Sequence, residues 1–550
     1  MPVTLIRNGT LFDGTGADPI PDGAVLIEDG TVRAAGRLGD LPRPDTATEE
    51  VDAGGGWILP GLIDTHVHLM VEGMDLMRQL SDPFSFMFYR AIDHMGRTLD
   101  CGVTTVRDAG GADAGVKRAV ESGIVRGPRM QISISVLSTT GGHGDGWTPS
   151  GIDVPLFPPY PGNPHAICDG PESVRRTVRE VLRAGAEVVK VCSTGGVLSA
   201  TDDPEFTQFS MEELAVIVEE ARFRRGLRVM AHAQGAEGVK NAVRAGIQSI
   251  EHGIYLDDEA IELMLEHGTF LVPTLVAPVG VIEAAERTGA MPEWGIRKAK
   301  ASIDAHRDSI GRAHRAGVKI AMGTDAGVVP HGTNLRELGL MADIGMSPRD
   351  VLVSTTRTAA ECLGWEDRVG TLEAGKLADV VITAIDPMAN IHGLADNANI
   401  RLVMKGGEVV KDRRAAITTI RAGRLETSTP VDPPFAPISM AQTVSIGHRA
   451  ATGNSVELPS RKEIAHLLVE ELFRRGGSAR PQELYFALAS RFHLTQSQLA
   501  EVRGNGESKW ENEVRFARQS LVERGLLDKS KWGVWALTSE GRQSARESTK

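Results

Sequence analysis

The stretch "LRAGAEVVKVCSTGG", residues 182–196, decides how the chain is read. It ends a helix on Gly185, runs through Val188, Val189, Lys190, Val191 and Cys192 as an apolar strand, and leaves in a Gly-rich loop. Glycine suits the left-handed residue that closes a helix, and a short apolar run bounded by such signals reads as a buried strand. The phrase returns as "VRAGIQSIEHG" around Gly246 and "HRAGVKIAMGTD" around Gly317, each time with a strand after the helix end. Eight apolar strands follow this plan between residues 58 and 365: "WILPGLIDTHVHL", "GVTTVRDAG", "RMQISISVLS", "EVVKVCS", "LRVMAHA", "SIEHG", "TFLVPTL" and "VKIAMGTDA". Eight β/α units in about 300 residues predict a (β/α)8 TIM-type barrel, with its site at the C-terminal strand ends.

The flanks follow another pattern. Residues 1–57 and 366–425 hold short strands joined by Gly turns, such as "AVLIEDGTVRAAG" and "IRLVMKGGEVVKD", and are expected to meet in one small β-sandwich. Residues 426–457 are rich in Pro, Ser, Thr and Ala without a sustained period and read as a linker to residues 458–550. A chain of 550 residues exceeds what one hydrophobic core organises, so several domains are expected. The net charge of -12 is uneven: residues 458–550 carry 16 Lys and Arg against 12 Asp and Glu, which leaves 44 against 60 for the rest. The sequence starts without a charged head and apolar stretch and has no long apolar run, so a cytoplasmic protein without a membrane span is expected. Cys101, Cys168, Cys192 and Cys362 lie far apart, as reduced buried thiols do.

The chemistry lies at the predicted strand ends. His66 and His68, two residues apart in "GLIDTHVHLM", share one face of a strand. His232 ends "VMAHA", His252 ends "IEHG" and Asp325 ends "MGTDA". Four imidazoles and a carboxylate at one end of a sheet suit Zn²⁺ or a related divalent metal. Lys190 ends the fourth strand among them. It has three readings: an amine reaching solvent past the strand end, a Schiff-base lysine, or a CO₂-derived carbamate whose two oxygens bridge two metals.

"HVH", Lys190, His232, His252 and "GTDAG" in this order resemble the amidohydrolase superfamily, specifically its binuclear-zinc members with a carboxylated lysine. "TGGHGD", "KVCSTGGVLS", "AHAQG", "SIEHGIYLD" and "GTDAGVVPHGTN" are similar to the imidazolonepropionase-related branch, with its Xaa-Pro dipeptidases, N-acyl-amino-acid carboxypeptidases and ochratoxin-hydrolysing enzymes. The resemblance implies His66, His68 and Asp325 on a buried zinc, His232 and His252 on a second, and carboxylated Lys190 between them. It implies a homo-oligomer that hydrolyses a small-molecule amide or dipeptide and releases a C-terminal amino acid. A zinc-bridged hydroxide would attack the carbonyl, with Asp325 moving the proton to the departing amine. "HAQG" after His232 and the strand-four lysine argue against a deaminase. His143, Tyr255 and His331 lie in loops after strands three, six and eight, where each is read either as a substrate contact or as loop packing. Hydrolysis of a cyclic amide or lactone is the alternative chemistry.

In the tail, "SRKEIAHLLVEELFRRGG", "RPQELYFALASRF" and "SKWENEVRFARQSLVERG" predict three helices, and "LLDKSKWGVWALTSEGR" a hairpin. The last two stretches resemble the winged-helix domain of Mrr-type restriction endonucleases. A DNA reader would set the helix at 508–524 in the major groove with Lys509, Arg515 and Arg518 near phosphates. A balance of +4 is small for such a surface, and Trp510, Phe516 and Leu521 read as core, so a protein contact is favoured over nucleic acid. The alternative of another class is a ligand sensor governing a DNA-binding tail.

Overall fold

In the computed structural model, Gly185, Gly246 and Gly317 take φ of 110°, 92° and 97°, the left-handed region open to glycine. Residues 3–43, 48–73, 81–148, 150–199, 201–288, 293–414, 458–492, 494, 508–528 and 534–548 are described. The linker expected at 426–457 lies outside them, as do residues 415–425. The chain divides into two compact units, Met1–Glu426 and Thr427–Lys550.

The first unit is mixed α/β. It opens with β1 (Val3–Leu11), β2 (Ile20–Glu28), β3 (Thr31–Arg37), β4 (Thr48–Asp52) and β5 (Trp57–Pro60). Next come β6 (Leu62–Val67), β7 (Val103–Asp108), β8 (Arg129–Ile132), β9 (Val136–Leu137), β10 (Val188–Cys192), β11 (Arg228–Gly235), β12 (Ser249–Tyr255) and β13 (Phe270–Val272). It closes with β14 (Val380–Thr383), β15 (Ile400–Lys405) and β16 (Glu408–Asp412). β6 to β8 form one parallel sheet and β9 to β13 another.

The third predicted strand serves both sheets. Ile134, at φ 69°, separates β8, which pairs with β7, from β9, which pairs with β10. The eighth predicted strand forms only isolated bridges, Ile320 with Leu271 and Ala326 with Val67. Its main chain still binds both neighbours: Ala321 N donates to Leu271 O, and Thr65 N to Met322 O, at 2.9 Å each. Asp325 sits at φ 60°, outside the extended region, which interrupts a regular ladder there.

The flanks join in a single mixed sheet of eight strands, ordered β16-β15-β14-β5-β1-β2-β3 with β4 on β1, where two facing sheets were expected. Ile6, Val25, Ile27, Ile58, Val380, Ile382 and Leu402 form its buried core. Trp57–Pro60, expected to open the first β/α strand, pairs instead with Val380–Thr383. Pro60 and Gly61 end that pairing, and the α/β part starts at Leu62. Helices cover the parallel strands. Pro171–Ala184 carries Pro171 at its first turn and Gly185 at its end, and Met211–Phe223 starts on a Ser210/Glu213 capping box. No helix among the described residues is long and apolar enough to cross a membrane. All four cysteines are free and buried.

The second unit has helices Arg461–Arg474, Pro481–Arg491 and Lys509–Glu523, as the sequence predicts, around Leu468, Leu484, Trp510, Val514 and Leu521. Of the expected hairpin, the described residues show the Leu527–Leu537 bridge with Asp528 N donating to Ala536 O, and residues 529–533 lie outside them, while Trp535–Ala536 pairs with Ser478–Ala479. "TSEGR", placed in that hairpin from the sequence, begins a fourth helix, Ser539–Ser548, where the Thr538 hydroxyl accepts the Gly541 N–H. Phe516, read as core, is 42% exposed under the Arg461 guanidinium.

Candidate active site and metal centre

The strand ends carry His66, His68, Lys190, His232, His252 and Asp325 to one cavity of about 250 Å³, which His143 also lines. Parallel register explains the meeting. Lys190 lies beside Met230 and Cys192 beside His232, while Ala233 lies beside His252. His252 and Asp325 both take positive φ, 75° and 60°, a conformation that side chains other than Gly hold only when the surroundings fix it. Asp325 N donates to His66 O at 2.8 Å, and His306 Nε2 donates to the His252 carbonyl at 2.9 Å.

His66 Nδ1 is 2.7 Å from Glu251 Oε2, with both side chains fully buried. A carboxylate only accepts, so Nδ1 carries the proton. Glu251 is itself fixed by Arg107, whose Nη2 donates to Oε1 at 2.9 Å, and by the Ser249 hydroxyl at 2.7 Å. Arg107 is anchored in turn on the Thr65 carbonyl at 2.7 Å. His68 Nδ1 donates to the Gly110 carbonyl at 3.0 Å.

Both Nε2 atoms are therefore left to Asp325 Oδ1, 3.6 Å from His66 and 3.4 Å from His68. That oxygen is buried without a hydrogen-bond partner. The three residues offer donor atoms within 4.8 Å of one another. Two imidazole lone pairs and a carboxylate oxygen aimed at one point repel unless a cation or proton lies between them, and outer contacts of this kind are how metal ligands are oriented. The set fits a divalent metal.

Burial, followed by the charge of Lys190, pushes the His66 imidazole well below its ordinary value. For His68 burial pulls the same way, but the Asp325 carboxylate outweighs it and the net shift is upward. Burial works against ionised Asp325, yet His68 and His66 hold it well below the usual carboxylate range.

His252 Nδ1 pairs with the Thr274 hydroxyl at 2.7 Å and His232 Nε2 donates to the Gly195 carbonyl at 3.0 Å. Their rings are 4.6 Å apart, and His252 is 5.1 Å from His66. Lys190 is 3% exposed, and its ammonium makes no hydrogen bond or ion pair among the described residues. Burial lowers its pKa, which favours the free amine.

Two sequence-predicted contacts lie elsewhere. Tyr255 packs beside Val197, Ile254, Val281 and Ala299 and does not line the cavity. His331 stacks on His94 at 4.6 Å, and its Nε2 donates to the Val71 carbonyl at 2.9 Å. Neither lines the cavity, and this placement corresponds to the packing alternative: the His331 ring is committed to Val71, Thr98 and His94, and Tyr255 to its apolar neighbours. Sequence reasoning missed Glu251 and Arg107, although each is a charge inside an apolar strand, the same signal that marks Lys190. It also passed over Gln234, two residues beyond His232, which lines the cavity with its Oε1 buried and unpaired.

An imidazole and carboxylate cluster at the ends of parallel strands, with donor atoms that could hold one cation, suits a metal-assisted hydrolase. The chain belongs to the amidohydrolase family, whose profile matches residues 57–410, and the Mrr N-terminal domain profile matches residues 466–547. The ochratoxinase of Aspergillus niger is 34% identical over 427 residues, covering 74% of this chain and 87% of that protein. An imidazolonepropionase of Hyphomonas neptunium is 28% identical over 424 residues, covering 70% and 94%. A Xaa-Pro dipeptidase crystal structure with methionine bound in its active site is 34% identical, covers 74% of this chain and all of its own, and superposes with a TM-score of 0.67. The protein is an amide-bond hydrolase of a family that generally uses a divalent metal.

Proposed function

We propose that the protein cleaves a small amide to release a C-terminal amino acid, from a Xaa-Pro dipeptide, an N-acyl amino acid or an ochratoxin-type amide. The observation that carries the reading is the unpartnered Asp325 Oδ1 facing two Nε2 atoms whose Nδ1 positions are already bound. The names of the related ochratoxinase and Xaa-Pro dipeptidase supply the substrate class. In this reading β6 to β13, with β8 and β9 as one broken strand, and the segment 318–326 close as an eight-stranded barrel, supported by the hydrogen bonds that this segment shares with β13 and β6.

His66, His68 and Asp325 would hold one zinc or related ion, His232 and His252 a second, and Lys190 would bridge them as a carbamate. The Lys190 amine attacks CO₂, forms the N–C bond and loses one proton to solvent, which turns a buried amine into a bidentate anion. Divalent ions, when bound, bring water towards ionisation at neutral pH and polarise the amide carbonyl. Asp325 takes the proton of the attacking water and returns it to the departing nitrogen. His143 faces the carbonyl oxygen. Glu251 and Arg107 hold the His66 ring throughout.

The tail is read as a winged-helix fold with a protein partner. In helix Lys509–Glu523, Arg515 pairs with Glu511 and Tyr485, and Arg518 lies over Trp535, which draws both cations into the unit itself.

A panel of N-acyl amino acids, Xaa-Pro dipeptides and ochratoxin-type amides, assayed on metal-quantified protein with and without chelator, tests the proposal. Turnover of one class that chelator abolishes is expected. Turnover only of cyclic amides, or none with metal bound, would overturn it.

A further inference from the structure

His143 reaches the cavity on a loop, and its ring stacks on His232 with centroids 4.1 Å apart and 21° between planes. The ring also lies against Gly196, where a Cβ would come within 2.2 Å of it, so only glycine leaves this room. His143 Nδ1 is 3.0 Å from Ser199 Oγ, and Ser199 donates its hydroxyl to Asp202 Oδ1. Asp202 Oδ2 lies 3.7 Å from the same Nδ1. A hydroxyl has one proton to give, and having given it to Asp202 it accepts from His143 Nδ1–H. The nitrogen left to the cavity is Nε2.

His143 follows β9, Ser199 and Asp202 follow β10, and further contacts tie these two loops together. Gln208 donates to Asp202 Oδ2 at 3.3 Å while its Oε1 accepts the His143 main-chain N–H at 3.2 Å. Lys298, in helix Glu293–Ala316, donates to the carbonyls of Gly196, Ser199 and Asp202 at 3.0, 3.0 and 2.6 Å. Three main-chain acceptors use all three ammonium protons. The Asp202 side chain is 4% exposed, and burying a carboxylate is costly unless its partners are fixed. A loop that only needed closing would not require this carboxylate behind a cavity imidazole.

We infer that Asp202 is a positioning residue. Acting through Ser199, it sets both the ring orientation and the Nδ1–H tautomer of His143, so that Nε2 is presented to the substrate. The inference rests on the proposed placement of His143 at the substrate carbonyl.

Asp202→Asn and Ser199→Ala, each alone and combined with His143→Gln, form the test. Each single change should lower kcat/KM by about 10- to 100-fold, mainly in kcat, with metal content unchanged. Added to His143→Gln, the same change should alter kcat/KM by less than about 2-fold, since residues acting as one unit are not additive. Full activity in both single variants, or an undiminished loss in the His143→Gln background, would overturn the inference. Ser199→Ala keeps the test open should Asp202→Asn fail to fold.

A second readout needs no substrate. Histidine-selective ¹⁵N spectra, with the His143 signal assigned from His143→Gln, should show Nδ1–H in the unmodified protein and a changed tautomer in Ser199→Ala. An Nε2–H ring in the unmodified protein would sink the inference even if amides are cleaved. The expected tautomer shift in a protein that cleaves no amide would leave the positioning intact and refute the proposed reaction.

Discussion

Two pairs of buried histidines belong to the same unit, and they have opposite fates. His94 and His331 stack face to face, and each gives a ring N–H to a main-chain carbonyl, Leu69 and Val71. Their contacts end within the protein. His66 and His68 also spend one nitrogen each on a fixed acceptor, but their second nitrogens meet a carboxylate oxygen that has no partner. A buried histidine is thus marked for chemistry by what its second nitrogen faces, and not by burial or by having histidine neighbours.

The largest effect expected from breaking this comparison is at Asp325. Asp325→Asn should retain metal and lose activity by about 10²- to 10⁴-fold, the usual worth of a positioned proton-transfer group. Metal analysis beside steady-state kinetics checks it, and unchanged turnover would remove Asp325 from the reaction. Glu251→Gln comes next. It exchanges the acceptor of His66 Nδ1–H for an amide and leaves Arg107 facing a neutral group, and metal affinity should weaken by about 10- to 100-fold. Competition with a chromophoric chelator measures this.

The smallest effect on activity is expected on the other pair. Burial, followed by the charge of His94, pushes His331 down to about 3, against about 6.5 in an unfolded chain. Between those values the unfolded chain holds the extra proton, so the folded form loses stability as pH falls from about 6.5 towards 3 and is unaffected above that window. His331→Asn should cost about 1–3 kcal/mol at neutral pH through the lost contact with Val71 and flatten that acid dependence. Its kcat should stay at the unmodified level. Thermal unfolding from pH 4 to 8 reads the first two, and a large loss of turnover would return His331 to the site.

Much of the site was legible because charge in an apolar strand needs a reason. Lys190 stood out against four apolar neighbours, and the two-residue spacing of His66 and His68 put both on one face. The helix ends at Gly185, Gly246 and Gly317 carried the β/α order. What was not legible depends on distant pairing. Glu251 and Arg107 have meaning only together, across 144 positions. His331 lies in a loop with no period from which a direction can be read, and Tyr255 is the last residue of β12, where the alternation ends. The break at Ile134 follows from strand three serving two sheets, which its own ten residues do not announce. Phe516 follows a helical spacing that suits a core, yet the Arg461 guanidinium covers it instead.

The central claim is that strand-end imidazoles, Asp325 and a modified Lys190 hold a pair of metal ions that support amide hydrolysis. Anomalous diffraction at the zinc edge, on crystals of zinc-loaded protein grown with bicarbonate, tests it most directly. Two peaks are predicted, one against His66 Nε2, His68 Nε2 and Asp325 Oδ1 and the other against His232 and His252, with carbamate density joining them from Lys190. Absence of a peak beside Asp325, or an unmodified Lys190 amine between two bound ions, would contradict the account.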